Sequence, residues 1–192
     1  MQKDESSINP LRSGVTVIIP CYNYAHFLGA ALDSVLAQTY TNLEVIVIDD
    51  GSPDNTAEVA SKYEGRIRYV RQENQGLSAS RNNGLALASN EYVALLDADD
   101  EWEPSFIQTL MGKIMELPDD YGLVACLDYK IGINGERIPD RKRDSLTGEI
   151  TTRDLLLKNR FFPGAVLVRK NVLRKAGGFD TSLRSSEDRD MW

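Results

Sequence analysis

Asp97, Asp99 and Asp100 follow directly on the run Tyr92-Val93-Ala94-Leu95-Leu96. Carboxylates crowded at acid-x-acid spacing repel one another, and a hard divalent cation on their oxygens is the simplest relief. The run before them has the length and composition of a buried strand that ends at a polar break. Open α/β sheets bind ligands in the crevice at the carboxyl ends of their strands, which is where these three acids would fall. The spacing therefore predicts a metal site. The plainer reading is a solvated acidic loop, because Glu101 and Glu103 extend the same charge.

Two further polar groups follow β-branched runs: Pro20-Cys21-Tyr22-Asn23 and Asp49-Asp50-Gly51-Ser52. Consecutive parallel strands would bring all three to one rim of a sheet. The rim then offers a ring to stack on a nucleobase, a carboxylate to accept base or ribose donors, and a metal for a diphosphate. A dehydrogenase-type dinucleotide fold would need Gly-x-Gly-x-x-Gly after the first strand, and Pro20 to Asn23 contains no glycine. No P-loop pattern is present either. With both backbone cradles missing, phosphate would be held through a metal.

The elements that must position these groups alternate strand and helix. Val15 to Ile19 reads as a strand stopped by Pro20, and Leu28, Ala31, Leu32, Val35 and Leu36 recur at helical spacing. Glu44 to Ile48 is a second strand; Ser52-Pro53 then resembles an N-cap and first-turn proline opening a helix toward Tyr63. Ile67 to Val70 is a third strand. Leu77, Arg81, Leu85 and Ala88 share a helical stripe, and Tyr92 to Leu96 is the fourth strand. Short connections and this alternation predict an α/β fold with a central, mostly parallel sheet flanked by helices. Further on, Ile107, Leu110, Met111 and Ile114 mark a helix, and Leu123 to Leu127 a strand. Asn134-Gly135 marks a hairpin turn, 137–147 a charged loop, and Ala165 to Val168 a last strand before a short helix ending at Gly177-Gly178.

Composition narrows the class. The 192 residues suffice for one core, and 42% hydrophobic with 27% charged residues is ordinary for a globular domain. A net charge of −7 argues against nonspecific nucleic-acid binding, which needs a basic surface. No apolar run approaches the ~20 residues of a membrane span. The polar start, 1–13, lacks an apolar signal core, so a polar tail precedes a domain over 14–192 and a cytoplasmic setting is expected. Cys21 and Cys126 are far apart and fit neither a zinc pattern nor a disulfide framework. His26, the single histidine, starts a helix and is expected to cap or pack; Cys21 has no evident basic partner, so neither suggests a nucleophile system.

Taken in order, Val-Ile-Ile-Pro-Cys-Tyr-Asn from Val17, Val-Ile-Asp-Asp-Gly-Ser from Val47, Asn-Gln-Gly-Leu-Ser-Ala-Ser-Arg-Asn from Asn74 and Leu-Leu-Asp-Ala-Asp-Asp from Leu95 resemble family 2 glycosyltransferases. Gly-Gly-Phe-Asp from Gly177 and Glu187-Asp188 continue the pattern, so the resemblance covers nearly the whole chain. It implies the GT-A, nucleotide-diphospho-sugar transferase fold, a divalent cation (Mg or Mn) and inversion at the sugar carbon. Carried over by residue, it puts Pro20, Tyr22 and Asp50 in the base pocket and Arg81 toward the nucleotide or diphosphate. Asp97 would touch ribose, Asp99 would ligate the metal, Asp100 could share either task, and Asp188 matches the catalytic base, with Glu187 and Asp190 as fallbacks. The implied partners are a nucleotide-diphospho-sugar donor, UDP-linked as first choice, and a saccharide or glycolipid acceptor. Surface polysaccharide or glycolipid synthesis, at the inner face of the membrane, is the setting the resemblance suggests.

Two departures from the family pattern bear on activity. Trp192 follows Asp188 by four residues, where family members normally continue with structure that closes the acceptor side, and Arg189 stands where an aromatic is common. The expectation is a complete donor half and a truncated acceptor half, able to bind donor and cation but weak in turnover. The alternatives are a nucleotide-sugar-binding module without turnover, and a sugar nucleotidyltransferase. The latter usually wants a glycine- and lysine-rich loop where Pro20 to Asn23 stands.

Overall fold

The computed structural model describes residues 13–132, 134, 136–138, 148–150, 162–183 and 187–191. The polar tail before Ser13, the loop 139–147 and Trp192 lie outside the described residues. Strands β1 (Val15–Cys21), β2 (Leu43–Asp49), β3 (Arg68–Arg71) and β4 (Tyr92–Leu95) alternate with helices α1 (Ala25–Leu36), α2 (Thr56–Ser61) and α3 (Leu77–Leu87). Helix α4 (Phe106–Glu116), β5 (Leu123–Ala125), the short hairpin β6 (Lys130–Ile131) and β7 (Arg137–Ile138), and β8 (Val166–Arg169) follow. Helices α5 (Lys170–Ala176) and α6 (Glu187–Met191) come last.

The main sheet runs β3-β2-β1-β4-β8-β5. Its β3, β2, β1 and β4 ladder is parallel, while β8 pairs antiparallel with both β4 and β5. This is the mixed α/β sheet that the strand-helix alternation predicts. Side-chain parity sorts the core into two layers. Val15, Val17 and Ile19 pack with Leu28, Leu32, Val35, Ile107 and Ile114, whereas Ile18, Ile46, Val93 and Leu95 pack with Leu85, Ala88 and Leu173. Helices α1 and α4 therefore cover one face, and α3 and α5 the other.

Pro20 does not stop β1, which runs on to Cys21. The ladder with β4 ends at Ile18 and Leu95, and the Leu96 N–H donates to the Ile18 carbonyl. Two residues on, the proline nitrogen faces that same side, where no ladder remains to want a donor. The helix after β2 also starts later than Ser52-Pro53 suggests, at Thr56. Asp54, rather than Ser52, does the capping: its carboxylate accepts from the Thr56 N–H at 3.1 Å and from the Ala25 N–H of α1 at 2.9 Å. The Ser52 hydroxyl instead accepts from the Asn23 N–H at 3.0 Å, tying the turn after β2 to the turn after β1.

Helix α3 lies unusually close to the sheet at Gly84, where an added Cβ would fall 2.3 Å from Ile18 Cγ2. Gly84→Ala is expected to destabilise the fold by about 1–3 kcal/mol, overpacking outweighing the gain in helix propensity. Urea unfolding checks this, and an unchanged or raised midpoint would refute it.

Candidate active site

β1, β2 and β4 are parallel and in register, with Cys21 opposite Asp49 and Ile18 opposite Leu95. Their carboxyl ends consequently bring Pro20 to Asn23, Asp49 to Ser52, and Asp97 to Asp100 to one rim. The chain leaves β1 for β2 on one side and returns through α3 to β4 on the other, so this rim is the switch point of the sheet. A cavity of about 440 Å³ opens there. Pro20, Tyr22, Asp50, Asp97 and Asp99 line it, as do Cys21 and Ala98. The segment before and into α3 supplies the rest of the wall through Asn74, Gly76, Leu77 and Ser80, and Tyr24 adds a second ring.

Asp50 is buried, and protein donors hold its carboxylate in place. Oδ1 accepts from Gln72 Nε2 at 2.7 Å and the Gln75 N–H at 2.9 Å; Oδ2 accepts from the Gly76 N–H at 2.8 Å. Gly51 makes this approach possible: its φ is +76°, and a Cβ there would sit 3.1 Å from the Asn74 nitrogen. Asp49, its neighbour, turns the other way and has no exposed surface. It accepts from the Ser52 N–H, from Arg71 Nη1 at 2.9 Å and from the Tyr69 hydroxyl. Burial and the Asp49 carboxylate push the Tyr69 phenol up to about 12. Of two adjacent acids, one braces β2 against β3 and one faces the cavity.

Tyr22 and Tyr24 are exposed at the mouth. His26 packs between aromatics, its ring 5.9 Å from Tyr24 and 4.0 Å from Phe27. Cys21 is buried beside Thr56, and burial pushes its thiol up, away from the thiolate a nucleophile would need.

Arg81, Asp100 and Asp188 are not among the cavity-lining residues. Arg81 is 1% exposed, neither solvated nor facing open space. Its Nη2 donates to Asp97 Oδ1 at 2.9 Å and its Nη1 to Glu187 Oε1 at 2.8 Å. Phe179 lies under the guanidinium at 5.3 Å, and Nε is buried without a hydrogen-bond partner among the described residues. Asp188, half-buried in α6, is the residue after Glu187. Tyr24, Asn74, Leu77 and Ser80 also line the wall without being marked as site residues by the sequence; three of them fall in the Asn74 to Asn82 motif, where Arg81 is the only charged residue.

No group of three or more His, Cys, Asp or Glu side chains converges on a metal point among the described residues. The donor set nevertheless suits a hard cation, since Asp97 and Asp99 both face the cavity with oxygen ligands. Asp100 registers the crowding. Burial of its carboxyl, followed by the Asp97 and Asp99 charges, pushes it up to about 6, although much of the residue's surface is open to solvent. A raised carboxyl pKa means that the native state keeps its proton longer than the unfolded chain, whose Asp titrates near ~3.9, so stability falls as pH rises through that window. With chelator present, Asp100→Asn is therefore expected to stabilise the protein above about pH 6 and to change little near pH 4. Parallel unfolding curves at both pH values would refute this.

The profile of glycosyl transferase family 2 matches residues 16–177. An uncharacterized glycosyltransferase of Rickettsia typhi is 33% identical over 193 residues, covering 98% of this chain and 59% of its own length. Glycosyltransferase GlyA of Streptococcus pneumoniae is 44% identical over 109 residues, 55% of this chain and 16% of that protein. The chain thus spans well under two thirds of the length of these curated relatives. Among solved structures, S. aureus TarS 1–349 in complex with UDP superposes with a TM-score of 0.73 at 25% identity, over 92% of this chain and 53% of that one. The mannosyltransferase PcManGT of Pyrobaculum calidifontis, solved with GDP-Man and Mn2+, shares the fold at a TM-score of 0.67 and 24% identity, over 93% of this chain and 50% of that one. Because that profile covers most of the chain, including the three strand ends that form the rim, the chain belongs to glycosyl transferase family 2.

Proposed function

We propose that this chain carries the donor site and base of an inverting glycosyltransferase that moves a sugar from a UDP-linked donor to an acceptor hydroxyl. Surface polysaccharide or glycolipid assembly at the cytoplasmic face of a membrane is the setting proposed for it. The observation that carries the reading is the switch-point cavity, lined by Tyr22 and Asp50 from the ends of β1 and β2 and by Asp97 and Asp99 from the end of β4. The similarity to TarS, solved with UDP, supports a uridine nucleotide.

The hydrogen bonds of Asp50 support the same base. A carboxylate offers about four acceptor positions. Gln72 Nε2, Gln75 N–H and Gly76 N–H take three of them, which leaves room for one ligand donor. A uracil edge presents one N–H between two carbonyls, whereas guanine presents N–H and NH2 together. Tyr22, half-exposed at the mouth, would stack on the ring. Asp97 would accept from ribose, and Asp99, with Asp97 or Asp100 nearby, would hold a divalent cation. When bound, the cation supplies Lewis-acid stabilisation of the leaving diphosphate. Asp188 would take the proton from the acceptor hydroxyl as it attacks; one base suffices where no covalent intermediate forms.

Calorimetry with UDP and Mn2+ tests the donor site. Binding that requires the cation, and that in Asp99→Ala is weak with or without it, is the expected result. Absence of heat with or without cation would overturn the reading, and an unchanged affinity in Asp99→Ala would overturn the ligand assignment.

A further inference from the structure

We propose that Arg81 is a positioning residue: it makes no contact with the donor and instead fixes the helix that bears Asp188 against the acid wall of the cavity. The inference rests on the glycosyl-transfer reading above for its consequence, but its physical basis is independent of it.

Arg81 is buried in the middle of α3, yet its side chain is shared between two carboxylates from distant parts of the chain. Asp97 is 16 residues away at the end of β4, and Glu187 is 106 residues away in α6. Side-chain exposures of 1% for Arg81 and 14% for Glu187 put this pair out of reach of most solvent. Charge-assisted hydrogen bonds of 2.8–2.9 Å to both ends of the guanidinium are the geometry in which arginine is most restrictive, because its planar fork fixes direction as well as distance. Phe179 closes one face of the fork. The Arg81–Asp97 pair is the side of this bridge that meets the cavity, since Asp97 lines it and Arg81 does not.

Helix α6 is five residues long and could not hold itself together in water. Among the described residues, two contacts four residues apart help to place it, and they share one helical face. Glu187 is tied to Arg81, and Met191 packs against the core layer that contains Ile18, Leu95 and Phe179. Asp188 sits about 100° around the helix from Glu187, half-buried beside that anchored face. Breaking the Glu187 anchor is therefore expected to loosen the helix around Asp188, while Asp50 on the cavity wall keeps its donors from Gln72, Gln75 and Gly76. Arginine suits this better than lysine, whose single ammonium cannot span both carboxylates in fixed directions.

The test uses the full-length protein and two separate readouts. In Glu187→Gln, where Arg81 keeps its pair with Asp97, UDP affinity in calorimetry is expected to stay within about threefold of the parent while kcat falls by about tenfold or more, since small misplacements of a reacting group cost that much. The second readout needs no activity: amide hydrogen exchange of the peptide containing Asp188 to Met191 is expected to speed up in Glu187→Gln and in Arg81→Lys, with α3 protection retained. An acidic limb of the pH–rate profile that persists in Glu187→Gln separates misplacement of the base from its loss. If Arg81→Lys weakens UDP binding tenfold without altering exchange in α6, Arg81 is a donor contact and the proposal is overturned. Unchanged exchange and unchanged kcat in Glu187→Gln overturn it equally. A parent protein that binds no UDP and transfers no sugar would defeat the transferase reading, while the exchange result would still decide whether Arg81 holds α6.

Discussion

Asp188→Asn is expected to lower the rate of sugar transfer by about 10²- to 10⁴-fold, the usual contribution of a positioned general base, and to leave UDP affinity within about twofold. Asparagine keeps the shape of the side chain and removes its ability to take a proton. The two neighbouring acids are poorer candidates on structural grounds. Glu187 already accepts from Arg81 at 2.8 Å, and moving a proton to it would weaken a buried ion pair. Asp190 is exposed on the short helix, whereas Asp188 is half-buried. The pH–rate profile separates the candidates. The parent should lose activity at acid pH as the base protonates, and Asp188→Asn should lack that limb in whatever activity remains. A rate within about threefold of the parent would remove Asp188 from the role, because a general base contributes far more than that. Since the chain spans about half the length of its solved relatives, the measurement belongs on the full-length gene product.

The donor wall was far more legible in the sequence than the base. Apolar runs ending at Pro20, Asp49 and Asp97 mark strand ends because buried parallel strands must be apolar throughout and change abruptly where they meet solvent. That local signal suffices to bring Pro20, Tyr22, Asp50, Asp97 and Asp99 to one cavity. Local rules failed where a neighbour in space decided the outcome. Pro20 was expected to end β1, but the partner strand had ended first, so the missing N–H cost nothing. Ser52 has the right type for a cap, yet the turn geometry gives that task to Asp54 and sends the Ser52 hydroxyl to Asn23. Of the stripe Leu77, Arg81, Leu85, Ala88, the first three lie in α3 and Ala88 falls just past its end, but spacing could not say that a charged residue in it would be 1% exposed. Its two partners lie 16 and 106 residues away, and no periodicity of 3.6 or 2 reaches so far. The antiparallel entry of β8 between β4 and β5 is of the same kind, since an apolar run carries no mark of its direction.

Asp50 is where fold and site meet, and replacing it is expected to damage both. In Asp50→Ala, Gln72 Nε2 and the N–H groups of Gln75 and Gly76 lose their acceptor together. An orphaned buried donor costs about 1–3 kcal/mol. Water entering from the cavity would satisfy part of the set, so a net loss of about 2–4 kcal/mol is expected rather than the full sum. Asp50→Asn is the more discriminating variant. Its oxygen can replace only one of the two carboxylate oxygens, so its NH2 must point at Gly76 N–H or at the Gln72 and Gln75 donors. The segment leading into α3 would shift to relieve that contact, and with it the wall formed by Asn74, Gly76 and Leu77. UDP affinity should therefore fall by about tenfold or more, the loss of one good hydrogen bond with its geometry. Asp49→Asn supplies the control, because Asp49 is buried as deeply but faces Tyr69 and Arg71 rather than the cavity. It should lower the urea midpoint and, in protein that remains folded, leave UDP affinity near that of the parent. If Asp50→Asn retained UDP affinity within about twofold while Asp49→Asn lost it, the base pocket would have to be moved to the β3 side of the rim.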